Sequence, residues 1–292
     1  MVRALVCPGQ GAQSVGMGKS LAEEYLSAKA IFEEVDEALG EKLSTLIWGG
    51  DIEELTLTQN AQPALMAMSL AALRGLESEG FKINSCAYLA GHSLGEYSAL
   101  AMSNAISVSD AARLLRVRGL AMQQAVPVGV GAMAAILGLD FVTVQSLASE
   151  AQVKGVCQAA NDNDPSQVVI SGEKSAVELA IELAKNSGAK RAIMLPVSAP
   201  FHCELMAPAA EKMSVELENT KIEKPIIPIV SNVSAQAISD PAEIKELLVS
   251  QVTGSVRWRE SILWMAKNSV DEIWEIGSGK ALSGMIRRID KN

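Results

Sequence analysis

Short apolar runs and longer periodic ones alternate along most of the chain, the pattern of buried strands separated by amphipathic helices. The first short run, 4–7, is broken by Pro8-Gly9 and reads as a strand. Helices are predicted over 21–39, continuous or broken, and over 61–79, and a second strand ends at Ala90. A helix over 109–124 follows, with Ser109 as its N-cap. Pro127-Val128-Gly129-Val130-Gly131 reads as a linker, after which the order changes. Strand (132–137), helix (141–149), strand (156–160), strand (168–171), helix (173–187) and strand (191–195) make the βαββαβ series of a ferredoxin-like unit. Residues 196–200, with proline at each end, are the return linker. Beyond it come a helix to about 219, a strand at 229–231, helices at 241–252 and 257–268, a strand at 272–276 and a basic terminal helix. Strands alternating with helices on both sides of the insert imply an α/β core with a mainly parallel sheet covered on both faces. The expected division is a core of 1–128 and 198–292 around an inserted subdomain of 129–197.

The strand ending at Ala90 runs into Gly91-His92-Ser93-Leu94-Gly95, a G-x-S-x-G pentad followed at once by a helical run. At such a turn the serine takes a strained backbone conformation and its hydroxyl stands exposed at the strand end, while the glycines remove side chains that would clash. The new helix also aims unpaired N–H groups at the site, so an oxyanion formed there would meet the N–H of Leu94. A serine that merely caps a helix in a glycine-rich turn gives the same five letters, and the strand–turn–helix context is what favours a nucleophile.

Composition narrows the function classes. A net charge of −9 and only 4% aromatic residues disfavour nucleic acid, which needs a basic face and stacking platforms. The four cysteines stand far apart, with no C-x-x-C pair, and read as buried free thiols of a reducing compartment. The longest apolar stretch, 63–73, is too short to cross a bilayer, and the N-terminal residues enter a strand without a signal-peptide pattern, so a cytoplasmic protein without membrane insertion is expected. Two nucleotide-binding patterns near the N-terminus fail for want of a glycine, at Ser14 for the dinucleotide fingerprint and at Gln13 for the P-loop. What is left there is a flexible loop carrying the amides of Gln10 and Gln13, which can donate to an oxyanion or close a turn.

A serine needs a base to act near neutral pH. Of the two histidines, His92 adjoins Ser93 in the turn, where neighbouring side chains diverge, and reads as structural; His202 is the base by elimination. No acid lies at the usual place between serine and histidine, so another group must orient His202, either a backbone carbonyl or an amide such as Gln251. At about 100° per residue, Ala111, Leu114, Leu115, Arg118 and Met122 share one helix face, with Arg113 and Arg116 opposite. An arginine in an apolar stripe either snorkels outward or waits for a buried anion, and the residues by themselves favour the architectural role.

Taken in order, Pro8-Gly9-Gln10-Gly11-Ala12-Gln13, Gly91-His92-Ser93-Leu94-Gly95-Glu96-Tyr97, Arg118-Gly119, Met122-Gln123, Gly131-Ala132-Met133-Ala134, Ala160-Asn161 and Phe201-His202 resemble the malonyl-CoA:acyl carrier protein transacylases over essentially the whole chain. The resemblance implies a hydrolase-like core with a ferredoxin-like insert, and double displacement through a malonyl-serine in fatty acid synthesis. It makes Ser93 the nucleophile, His202 the base, Gln10 and the Leu94 N–H the oxyanion hole, and the Gln251 main-chain carbonyl the group that orients the histidine. Arg118 becomes the clamp on the malonyl carboxylate, with Met122, Asn161 and Phe201 beside the substrate. Phe201 stands where many stand-alone bacterial members carry serine. No metal or bound cofactor is implied. The partners implied are malonyl-CoA and an acidic acyl carrier protein, and a monomer is expected. A serine esterase or thioesterase, and a non-catalytic module that only holds acyl-CoA or a protein, are the rival readings.

Overall fold

The computed structural model describes residues 1–197 and 199–291. The predicted return boundary at 198 falls on a residue outside the described ones. Two sheets form. The first has the order β8-β7-β2-β1-β9, from β1 (Arg3–Cys7), β2 (Cys86–Gly91), β7 (Ile229–Val230), β8 (Ala237–Ile238) and β9 (Glu272–Glu275). All its pairings are parallel except β7 with β8. The second, wholly antiparallel, has the order β4-β5-β3-β6, from β3 (Gly131–Leu137), β4 (Cys157–Asp164), β5 (Gln167–Glu173) and β6 (Arg191–Met194).

The period of two along each strand decides which layer a residue joins. In β1, Leu5 and Cys7 enter the main core with helices such as Leu26–Leu39, Thr58–Ser78 and Val108–Gln124, while Ala4 and Val6 pack with Trp258, Ile262, Met265 and Leu282 on the other face. A parallel sheet is thus covered on both sides, and its strands carry no polar alternation. In β3, Ala132, Ala134 and Ile136 pack under helices Phe141–Ala151 and Lys174–Asn186, whereas Met133 and Ala135 turn toward the main core. The two bodies are stitched together where Val256 accepts from the Asp162 N–H at 2.9 Å and donates to the Ala160 carbonyl at 2.8 Å.

Several elements depart from the sequence expectation. The 21–39 run is two helices, Lys19–Glu24 and Leu26–Leu39, broken at the extended Tyr25. Ser107, not Ser109, caps the next helix: its Oγ accepts from the Asp110 N–H at 3.0 Å, while the Ser109 hydroxyl donates to Glu34. Strand β4 runs four residues past the expected end at 160, through Asn161-Asp162-Asn163-Asp164, all buried. Its polar letters resemble a loop, but Asp162 pairs with Arg259 at 2.8 Å and Asp164 with Arg288 at 2.8 Å, and these partners make burial tolerable. Beyond His202 a short turn, Glu204–Met206, comes before the helix Ala207–Asn219, which carries Pro208 in its first turn.

Candidate active site

Strand β2 delivers its last residues to the carboxyl edge of the parallel sheet, where open α/β sheets bind ligands. There Ser93 has φ of 54°, a left-handed conformation that a serine adopts only under constraint. The constraint is crowding. A Cβ on Gly91 would lie 1.9 Å from the Gly95 carbonyl carbon, and one on Gly95 would lie 2.4 Å from the Cys7 carbonyl oxygen. Only glycine lets strand, turn and helix cross so closely. Asn232, just beyond β7, fixes the turn from the side: its Oδ1 accepts from the Ser93 N–H at 2.7 Å and its Nδ2 donates to the Gly91 carbonyl at 2.6 Å. The Ser93 N–H is therefore occupied, and Leu94, the next residue, lines the cavity.

His202, also left-handed with φ of 59°, reaches Ser93 Oγ through Nε2 at 2.8 Å. Its Nδ1 lies 2.9 Å from the Gln251 main-chain oxygen. A carbonyl only accepts, so Nδ1 carries the proton and Nε2 is free to take one from the serine. Burial, then the neighbouring Arg118 charge, pushes the His202 imidazole down to about 3. Because the shift is downward, the neutral, proton-accepting form persists as pH falls through the ordinary imidazole range. The second-order rate constant for acylation of Ser93 should accordingly stay level from pH 8 to about pH 5, since that constant reports the free enzyme's base. Stopped-flow acylation measured against pH checks this, and a limb at the ordinary imidazole value of 6.5 would contradict it.

Arg118 is 1% exposed, and burial lowers the pKa of its guanidinium. Its Nη1 donates to Gln62 Oε1 at 2.7 Å, and its Nη2 donates to Gln251 Oε1 at 2.9 Å and to Ser93 Oγ at 3.2 Å. Its Nε–H has no partner among the described residues. A buried cation held by neutral amides, beside the serine and with a donor to spare, is arranged to receive an anion. Gln251 Nε2 in turn donates to Glu96 Oε2 at 2.7 Å and to the Ser93 carbonyl at 3.0 Å. Burial pushes the Glu96 carboxyl up to about 7.

A cavity of about 440 Å³ between the two sheets contains this constellation. Gln10, Ser93, Leu94, Arg118, Met122, Asn161, Phe201 and His202 all line it, so the structure gathers most of the sequence-derived candidates in one place. Gln251 lies behind them, fully buried. Gln10 Nε2 donates to Thr58 Oγ1 over a long 3.3 Å, while Gln13 closes the loop by accepting from the Gly11 N–H at 2.7 Å. His92 bridges the sheets, its Nε2 lying 2.9 Å from Asn163 Oδ1. Gln62, Asn232 and Glu96 were not singled out from the residues. The usable signals were a glutamine within the apolar run of 61–79 and an asparagine directly after a strand that ends at the ligand-binding edge.

Comparison with known proteins places the chain in a family. The family model for the acyl transferase domain matches residues 4–278. The malonyl CoA-acyl carrier protein transacylase of Bacillus subtilis is 49% identical over 289 residues, covering 99% of this chain and 90% of that protein. The crystal structure of the acyl-carrier-protein S-malonyltransferase from Bartonella henselae superposes with a TM-score of 0.98 at 53% identity, covering 100% of this chain and 93% of that one. A malonyl-transacylase solved in complex with its type II PKS acyl-carrier protein superposes with a TM-score of 0.96 at 41% identity, covering 100% and 94%. With a match along nearly its whole length in sequence and in fold, the chain belongs to the acyl transferase domain family.

Proposed function

We infer that this protein is a malonyl-CoA:acyl carrier protein transacylase, which moves a malonyl group from CoA to the carrier's phosphopantetheine thiol for fatty acid synthesis. The observation that carries the reading is the guanidinium of Arg118 at 3.2 Å from the hydroxyl of Ser93. A malonyl group on that oxygen is short, and its free carboxylate falls within reach of the fork.

In the mechanism, Ser93 Oγ gives its proton to His202 Nε2 as it attacks the thioester carbonyl. The oxyanion is held by the Leu94 N–H and the Gln10 amide. Collapse of the tetrahedral intermediate forms the malonyl-serine ester and expels the CoA sulfur, which takes the proton from His202. The carrier's thiol then repeats the sequence in reverse. A neutral carbonyl behind His202 stabilises an imidazolium less than a carboxylate would, but a thiolate, with a thiol pKa of about 8.5, is a far easier leaving group than an amine. Met122, Asn161 and Phe201 line the space for the acyl group and the thioester arm. No metal or bound cofactor takes part in this scheme. Incubation with malonyl-CoA followed by peptide mapping tests it: a malonyl group on Ser93 that survives in water and leaves to a carrier thiol supports transfer, and rapid loss to water points to a hydrolase.

The βαββαβ series and its strand order support reading 129–197 as a ferredoxin-like insert in a hydrolase-like core of 1–128 and 198–292. We read the protein as a cytoplasmic monomer that binds no nucleic acid, in keeping with its net charge of −9, and no helix of the described residues is long and apolar enough to cross a membrane. An acidic carrier must then find a local basic patch. Lys190 and Arg191 are exposed at the start of β6, whose continuation, Leu195, lines the cavity. Arg287 and Arg288 lie on the Ala281–Ile289 helix, which lines it through Met285, but Arg288 is partly committed to Asp164. Charge reversal at Lys190 and Arg191 should slow transfer to the carrier about tenfold at low salt and less at high salt, leaving acylation by malonyl-CoA unchanged. Equal loss in the two half-reactions would contradict docking there.

A further inference from the structure

Glu96 is a carboxylate sealed in the main body at 2% exposure, one turn beyond the nucleophile, and no step of the reaction uses it. One of its oxygens, Oε2, takes two bonds, from Gln251 Nε2 at 2.7 Å and from the Asn232 main-chain N–H at 3.1 Å. A side-chain amide has a donor end and an acceptor end, and a carboxylate oxygen with no hydrogen accepts only. Gln251 Nε2 also reaches the Ser93 carbonyl at 3.0 Å, and of these two acceptors Glu96 takes the shorter bond, so Glu96 is the main group setting which way Gln251 faces. With the NH2 end on Glu96, the oxygen end is delivered to Arg118 Nη2 at 2.9 Å. Turned over, the amide would set oxygen against carboxylate and NH2 against guanidinium, two repulsive contacts in a buried site.

We propose that Glu96 is a positioning residue: by fixing the polarity of the Gln251 side chain it holds Arg118 in the geometry that selects acyl groups ending in a carboxylate. Gln62 anchors the other arm of the guanidinium through Oε1 at 2.7 Å, so Glu96, Gln251 and Gln62 together keep the fork from turning. The same Glu96 oxygen steadies Asn232, which holds the Ser93 N–H, so the nucleophile and the clamp share one anchor. Burial pushes the Glu96 carboxyl up to about 7; when it is protonated, the Asn232 main-chain N–H on Oε2 keeps that oxygen an acceptor and leaves the proton to Oε1, so Gln251 keeps its direction. The inference rests on Arg118 being the carboxylate clamp.

The test is a series of variants assayed for malonyl and acetyl transfer from the CoA thioesters, with thermal melting to establish folding. Glu96→Met keeps the volume and removes the acceptor. Malonyl transfer should fall about 30- to 100-fold and acetyl transfer only a few-fold, so the malonyl-to-acetyl ratio drops by about tenfold or more. In an Arg118→Ala background the same change should move the ratio no further, because the residue it acts through is gone. Glu96→Gln, which retains an acceptor oxygen, should restore the ratio to within about threefold of wild type. Should Glu96→Met not fold, Gln251→Met breaks the same relay while leaving the main-chain carbonyl on His202, and it should lower the ratio equally. A ratio unchanged in Glu96→Met, or in that replacement, while Arg118→Ala abolishes it would overturn the proposal. So would a Glu96→Gln variant as unselective as Glu96→Met. An Arg118→Ala variant that leaves the ratio unchanged would instead overturn the clamp itself.

Discussion

Ser93→Ala should fold as the parent does and accept no malonyl group. The change removes one hydroxyl, whose partners are His202 at 2.8 Å and Arg118 at 3.2 Å, and leaves the turn held by Gly91, Gly95 and Asn232. Alanine keeps the Cβ, so the left-handed backbone at this position is neither relieved nor further strained. Transfer should fall by roughly four to six orders of magnitude, the scale on which removal of a serine nucleophile acts when the remaining groups stay in place. Intact-mass measurement after incubation with malonyl-CoA checks it. A variant that still gains the malonyl mass would place the nucleophile elsewhere.

Arg118→Ala carries the second large effect, and its sign differs between substrates. Malonyl differs from acetyl by one carboxylate, and a planar guanidinium matches a carboxylate with two parallel hydrogen bonds. Removing one partner of a buried ion pair costs roughly 3–5 kcal/mol, or about two to four decades in rate if the pair is intact in the transition state. Malonyl transfer should fall on that scale while acetyl transfer stays level or rises. Arg118→Lys should recover little, because an ammonium at the end of a flexible stem cannot satisfy Gln62, Gln251 and a carboxylate together. Arg113→Ala is the control: it lies exposed on the opposite helix face, paired with Asp110 at 3.1 Å, and should affect neither acyl group. Equal loss of malonyl and acetyl transfer in a folded Arg118→Ala protein would make the arginine architectural and turn attention to Phe201.

Much of the scaffold was legible because it is written in local periodicity. The strands at 4–7 and 132–137, the glycine-bracketed serine and the βαββαβ order each follow from neighbouring residues. Ser93 and His202 could be paired from residue types because the chain holds only two histidines. What escaped the sequence is polar and non-local. Asn161 to Asp164 read as a loop, since nothing nearby says that Arg259 and Arg288 neutralise the two aspartates from 97 and 124 residues away. Arg118 was ambiguous for the same reason: its amide partners Gln62 and Gln251 lie 56 and 133 residues off. Hydrophobic pattern identifies what avoids water, whereas a buried polar network is specified by partners that only the fold brings together.

Ser93 is expected to accept acyl groups under selection by Arg118 and to pass them to a thiol. The most direct test mixes the protein with equal amounts of malonyl-CoA and acetyl-CoA, reads the intact mass, then adds phosphopantetheinylated carrier protein and reads both masses again. The expected result is a single malonyl adduct, mapped to Ser93, that disappears from the enzyme as the carrier gains it. An adduct that is mainly acetyl, that maps to another residue, or that is lost to water without reaching the carrier would contradict it.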